Sequence, residues 1–168
     1  FGTVGLLPTL ISDRRERISQ AIDAVEAAMS EGVPGVLGIH LEGPNINPER
    51  RGMHESRHIA ALHADDIARL SALQAARIVT LAPECAAPGV IAQLAASGVR
   101  VCAGHSAATA EQVDAAAGEG LVGITHLYNA MSQLIGREPG MVGAALAHPE
   151  LWCGIIVDGF HVHDRSVA

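Results

Sequence analysis

The chain has 168 residues, of which 49% are hydrophobic and only 2% aromatic, and it carries a formal net charge of −7. That is enough apolar material for one domain with a real core. No Lys/Arg cluster could neutralise a line of phosphates, and too few rings exist for base stacking, so a nucleic-acid surface is excluded and a small-molecule partner is expected. No apolar run nears the roughly 20 residues that would span a bilayer, and the first residues lack a secretory-signal pattern, so no membrane partner and a cytoplasmic home are expected.

Apolar strand-like runs alternate with helical patterns along the chain. Val4–Leu10 is the first expected strand. Asp13 and Glu16, at capping-box spacing, then open a helix with Ile18, Ala21, Ile22, Val25 and Met29 on one face. Val36–Leu41 is the second strand and runs into HLEGP. The segment GPNINPERRGMH, Gly43 to His54, holds two prolines, two glycines and two asparagines, which suit a loop over a site.

Asp65 or Asp66 opens a second helix on which Ile67, Leu70 and Leu73 recur every third residue. Strand Ile78–Leu81 follows, then a helix after Pro88-Gly89 with Val90, Ile91 and Leu94 aligned, then strand Val99–Ala103. Thr109 and Gln112 start a fourth helix, which Gly118 and Gly120 end. Strand Val122–Thr125 leads to the loop QLIGREPGM, and Gly154–Val157 is the last expected strand, with a helix beginning as the sequence stops.

Such alternation makes either an open doubly wound sheet or a closed barrel. Polar residues gather past the carboxyl ends of six successive strands: Pro8-Thr9, His40–Pro44, Pro83-Glu84, Gly104–Ser106, His126–Asn129 and Asp158–His161. An open sheet concentrates its ligand at one switch point, whereas a barrel draws a site from many strand ends, so the α/β barrel is favoured.

Three residues directly follow apolar strands: Glu42 in HLEGP, His105 in AGHS and His126 in THLYN. Two imidazoles and a carboxylate are the donor set of a catalytic zinc or similar divalent ion with one position open for water. Barrel closure would bring the three together, and a metal there suits amide hydrolysis.

His54 is either a hydrogen-bond donor to a substrate carbonyl or a solvated loop residue. Arg137, on a tight loop, suits recognition of a phosphate or carboxylate, or pairs with Glu138. Of His161 and His163, His161 is the candidate; Asp158 supports it or caps a turn. Cys85 lacks an activating neighbour, and Ser106 and Thr109 are explained by helix capping. The three cysteines, Cys85, Cys102 and Cys153, are spaced for neither a disulfide framework nor a CxxC zinc site.

The motifs HLEGP…RGMH, TLAPE, AGHS, THLYNAM, GREPG and DGFHV, in this order, resemble the N-acetylglucosamine-6-phosphate deacetylases of the amidohydrolase superfamily. The resemblance spans the whole chain. It implies a (β/α)8 barrel that removes acetate from N-acetylglucosamine 6-phosphate, of which residues 1–168 would be an incomplete amidohydrolase domain supplying strands two to seven. It also implies Glu42, His105 and His126 as ligands of a divalent ion, zinc first and iron, manganese or cobalt as alternatives. His54 would orient the acetamide carbonyl; Asn129, Ala130, Arg137 and His161 would bind the sugar phosphate.

By the same resemblance a general-base aspartate and an HxH-type segment lie outside the chain, and the full-length protein is a homodimer. The isolated piece is therefore expected to fold poorly, bind metal weakly and lack useful activity. Two other functions fit the same residues: another amidohydrolase, such as an N-acetylgalactosamine-6-phosphate deacetylase or an aminoacylase, or a non-catalytic sugar-phosphate or metal-binding barrel.

Overall fold

The computed structural model describes residues 2–168; Phe1 lies outside them. Six strands form one parallel sheet: β1 (Thr9–Ile11), β2 (Gly38–Glu42), β3 (Ala76–Leu81), β4 (Arg100–Ala103), β5 (Leu121–Ile124) and β6 (Trp152–Cys153). Their order in space is their order in sequence. A doubly wound sheet needs a reversal of strand order, and this sheet has none. Right-handed crossovers in unbroken order put every helix on one face, which is the arrangement of a barrel arc.

The helices are α1 (Arg15–Ser30), α2 (Ala64–Ala72), α3 (Val90–Ala96), α4 (Ala110–Gly118), α5 (Gly140–Ala147) and a last turn, α6 (Asp164–Val167). Ile39 and Leu41 of β2, Val79 and Leu81 of β3, and Val101 and Ala103 of β4 share one buried cluster with Ile18 and Ile22 of α1, Leu70 of α2, Leu94 of α3 and Val113 of α4. Burial of each large side chain there contributes roughly 1.5–3 kcal/mol. Because side chains alternate along a strand, His40, Glu42, Thr80 and Cys102 face the other way, into the barrel.

Strand ends differ from the sequence expectation where pairing decides them. In the first segment, Leu6 makes only an isolated bridge to Val36, and the ladder begins at Thr9. In the last, the ladder pairs Gly123 and Ile124 with Trp152 and Cys153, and Gly154 continues the backbone hydrogen bonds to Ile124 and Leu127. Residues 155–157 have no neighbouring strand to bond, so their apolar character does not make them β.

Two helix features also differ. The Asp13/Glu16 capping box does not form: Arg14 is the N-cap without a side-chain bond, because the Asp13 carboxylate accepts from the Arg14 amide instead. The box at Thr109 and Gln112 is present in full. Helix α5 falls where no helix is expected from sequence. It is buried almost all round, so it lacks the polar face that gives a helix its periodic signature.

Candidate metal centre

β2, β4 and β5 deliver the central residues. Glu42 is the last residue of β2, and His105 and His126 each stand two residues beyond the end of β4 and β5. Glu42 Oε1 lies 3.2 Å from His105 Nε2 and 2.9 Å from His126 Nε2, and the two Nε2 atoms are 3.0 Å apart. Residues separated by 63 and 84 positions thus aim three donor atoms at one point.

The protonation pattern favours a cation at that point. His105 Nδ1 is 2.8 Å from the Arg50 carbonyl, which can only accept, so Nδ1 carries the proton and Nε2 presents its lone pair to Glu42 and His126. Ligand atoms about 2.0–2.2 Å from one tetrahedral zinc stand roughly 3.3 Å apart, close to the separations found. His126 Nδ1 is buried without a partner among the described residues. Burial works to raise the pKa of the Glu42 carboxyl, but the two imidazoles beside it overcome this and hold the group well below the usual carboxylate range. The carboxylate is therefore ionised and available as a ligand.

Both histidines take a backbone conformation unusual for non-glycine residues, with φ of 49° at His105 and 39° at His126; Tyr128 (78°) and Ala130 (50°) share it. Such conformers cost on the order of 1–3 kcal/mol each and persist where surroundings over-determine them. Close packing is one constraint: a Cβ on Gly104 would stand 2.8 Å from Thr80 Cγ2 and 3.2 Å from Thr125 Cβ. Positive φ recurs at 126, 128 and 130, while the Leu127 amide donates to the Gly154 carbonyl and the Asn129 amide to the His126 carbonyl.

His54 comes from the loop after β2 and is only 2% exposed, its ring centroid 4.4 Å from that of His105. The Ser12 main-chain amide donates to His54 Nδ1 at 3.1 Å, and Ser12 Oγ lies 2.8 Å from the same nitrogen. An amide N–H can only donate, so Nδ1 is the acceptor and Nε2 holds the proton. Burial first, then the neighbouring His105, push the His54 pKa down to about 4. The ring is a neutral Nε2–H donor at neutral pH.

A chain of hydroxyls crosses the barrel interior beside Glu42, His105 and His126. Thr9 Oγ1 donates to the Leu7 carbonyl and therefore accepts from His40 Nδ1 (3.2 Å). His40 Nε2 then accepts from Thr80 Oγ1 (2.7 Å), which in turn accepts from Thr125 Oγ1 (2.7 Å). One carbonyl sets the direction of every bond in the series.

Glu42, His54, His105 and His126 line a cleft of about 390 Å³ together with Ile11, Gly52, Met53, Asn129, Ala130, Ile156 and His161. His161 Nδ1 pairs with Asp158 Oδ2 at 2.7 Å. Asp158 also accepts the amides of Phe160 and His161, which hold its pKa down to about 2. His163 instead caps α6 through the Arg165 amide. Arg137 is not among the cleft residues: it is exposed on the turn that joins Ile135 to Glu138, and Glu138 spends its carboxylate on the amides of Ala110 and Gly140 rather than on Arg137.

Ser12 and Glu84 are structural partners that the sequence reading did not single out as site residues. The TLAPE motif contained the signal for Glu84; nothing local marks Ser12. Cys102 is buried and its thiol is pushed up to about 12, consistent with an inert strand residue.

No family model matches the chain. Across 99% of its length it is 46% identical to an N-acetylgalactosamine-6-phosphate deacetylase of Shewanella sp. (strain ANA-3), of which it covers 42%. It is 37% identical over 99% of its length to an N-acetylglucosamine-6-phosphate deacetylase of Vibrio furnissii, of which it covers 43%. The crystal structure of N-acetylglucosamine-6-phosphate deacetylase from Pasteurella multocida superposes with a TM-score of 0.92 at 34% identity, over 99% of this chain and 44% of that one. The chain spans less than half the length of the relatives it matches, and over that span it is related in both sequence and fold to the N-acetylglucosamine- and N-acetylgalactosamine-6-phosphate deacetylases.

Proposed function

We propose that the protein carrying this chain hydrolyses the acetamide of N-acetylglucosamine 6-phosphate, releasing acetate and glucosamine 6-phosphate. The convergence of Glu42, His105 and His126 beside a neutral His54, in a chain related to deacetylases of this kind, carries the proposal. Residues 1–168 form one incomplete amidohydrolase barrel domain.

Glu42, His105 and His126 would hold a divalent cation, and zinc suits a set of two nitrogens and one oxygen, although iron, manganese and cobalt accept the same donors. Such a cation polarises an amide carbonyl and lowers the pKa of water. His54 donates its Nε2–H to the acetamide oxygen, where negative charge develops as the amide is attacked. Asn129, Ala130 and His161, which line the same cleft, would contact the sugar phosphate.

Asp158 is a poor general base, since three donors occupy it. The base is an aspartate outside residues 1–168. Arg137 completes the phosphate site of a second subunit in a homodimer: it is exposed on the turn that follows Leu134 and Ile135, which are themselves 57% and 62% exposed. The setting is the cytoplasm.

A second reading exchanges the substrate for its galacto epimer, and the 46% identity to an N-acetylgalactosamine-6-phosphate deacetylase favours it. The test is acetate release by the protein expressed from its natural gene, with its metal content measured. N-acetylglucosamine 6-phosphate, N-acetylgalactosamine 6-phosphate and the unphosphorylated sugars are compared. Turnover of one phosphorylated sugar with one or two divalent ions per chain is expected; metal binding with no release of acetate from either would leave a binding barrel.

A further inference from the structure

Glu84 sits in the short turn after β3 and does not line the cleft, yet it is tied to two of the loops that build it. Its Oε1 accepts from Asn47 Nδ2 at 2.9 Å and from the Ala107 amide at 2.6 Å, while Oε2 accepts from Ser106 Oγ at 2.6 Å. Hydrogen bonds to an ionised carboxylate are short and about twice as strong as neutral ones.

Those three donors flank His105 on both sides. Ser106 and Ala107 are the next two residues in the chain, and the Asn47 amide donates to the His105 carbonyl at 2.9 Å. Asn47 also opens the turn that brings the Arg50 carbonyl to His105 Nδ1. Beyond Ser106 the lacing reaches the β5 loop, because the Ser106 amide donates to the Ala130 carbonyl and the Ser132 amide to the Ser106 carbonyl. One carboxylate therefore gathers the turn that follows Glu42 at the end of β2 and the turn after β4 that carries His105, and through Ser106 the turn after β5 that carries His126.

His105 needs that hold, since its backbone stands at a φ of 49° that a free loop would leave. We propose that Glu84 is the positioning residue of the metal centre: it fixes His105 so that Nε2 meets Glu42 and His126 at one point. The proposal rests on the metal-centre reading. Glu84 touches neither cation nor substrate, and it acts through His105 and Asn47.

The experiment compares Glu84→Gln with the unaltered protein from the natural gene. Zinc affinity is measured by competition with a chromophoric chelator, cobalt coordination by its visible absorption spectrum, and apo-protein stability by thermal unfolding. Glutamine keeps the size but turns an NH2 group toward donors that need an acceptor. Zinc binding weaker by about 10–100-fold, with an altered cobalt spectrum, is expected. Should Glu84→Gln not fold, Ser106→Ala removes one donor and keeps the carboxylate; a several-fold loss of zinc affinity at unchanged secondary structure is then expected.

Zinc affinity and cobalt spectrum equal to those of the unaltered protein, in whichever variant folds, would overturn the role of Glu84 alone. If the unaltered protein itself binds neither metal, the metal-centre reading fails and the Glu84 role falls with it.

Discussion

The Ser12 main-chain amide points at His54 Nδ1 from 3.1 Å, and that single contact decides which nitrogen of the buried ring carries the proton. A strand-end amide from β1 thereby sets the chemistry of a histidine 42 residues away.

The ring should therefore be the Nε2–H tautomer at neutral pH. Long-range nitrogen–proton correlation spectra of the 15N-labelled protein identify it; a signal from the Nδ1–H form would contradict the hydrogen-bond assignment. His54→Leu, which removes the donor, should lower kcat by about 10²–10³-fold if the ring stabilises a developing oxyanion. Gln, which retains an N–H donor, should lose less.

Removal of any one of the three converging donors should weaken cation binding. Glu42→Gln, His105→Asn and His126→Asn are each expected to yield protein with reduced metal content by atomic absorption. The unaltered protein should melt at lower temperature after chelation, because an ion bound only by the folded state stabilises it by mass action.

The hydroxyl series predicts a stability effect free of any change in volume. Thr80 is fully buried, donates to His40 and accepts from Thr125. Thr80→Val keeps the shape but strands both partners, and a loss of about 1–3 kcal/mol is expected from urea denaturation. Thr125→Val, at the donor end of the series, should cost less.

His148 offers a pH test remote from the cleft. Hydrogen bonds to Glu150 and Asp114 raise its pKa above the ordinary 6.5. A folded pKa above the unfolded one means that the contribution to stability is full below about 6.5 and is lost as pH rises through the raised value. Proton NMR of the His148 ring should show the elevated midpoint, and Asp114→Asn with Glu150→Gln should return it to the ordinary range.

If Arg137 serves a phosphate, Arg137→Ala should raise KM sharply for a phosphorylated sugar and leave the weak turnover of its unphosphorylated form unchanged. Mixing this variant with a His54→Leu variant should restore part of the activity if the arginine acts across a dimer, because one mixed site then holds both intact residues. No recovery on mixing would confine Arg137 to its own subunit or to no role.

Much of this architecture is legible in the chain because its signals are local. The stripe Ile18–Ile22–Val25 marks α1, and Thr109 with Gln112 marks the start of α4. Glu42, His105 and His126 are readable because each follows an apolar strand and a barrel topology brings strand ends together. What escapes is set by tertiary partners. Helix α5, with Gly140 and Gly143 and no polar face, is helical because its surroundings bury it. The end of β6 depends on which strand lies beside it, and Ser12 and Glu84 acquire their importance from residues 42 and 22–37 positions away.

The unbroken spatial order of the strands bears on how the molecule comes into being. Every ladder joins consecutive units, so a growing polypeptide can add each unit to the one just finished, with little loop to close at any step. Glu42 and His126, by contrast, lie 84 residues apart, and their meeting waits until the fifth unit has docked. A cation held by these donors would thus be a late arrival that seals an assembled mouth, and starving cells of metal should then slow maturation of the protein more than its initial collapse.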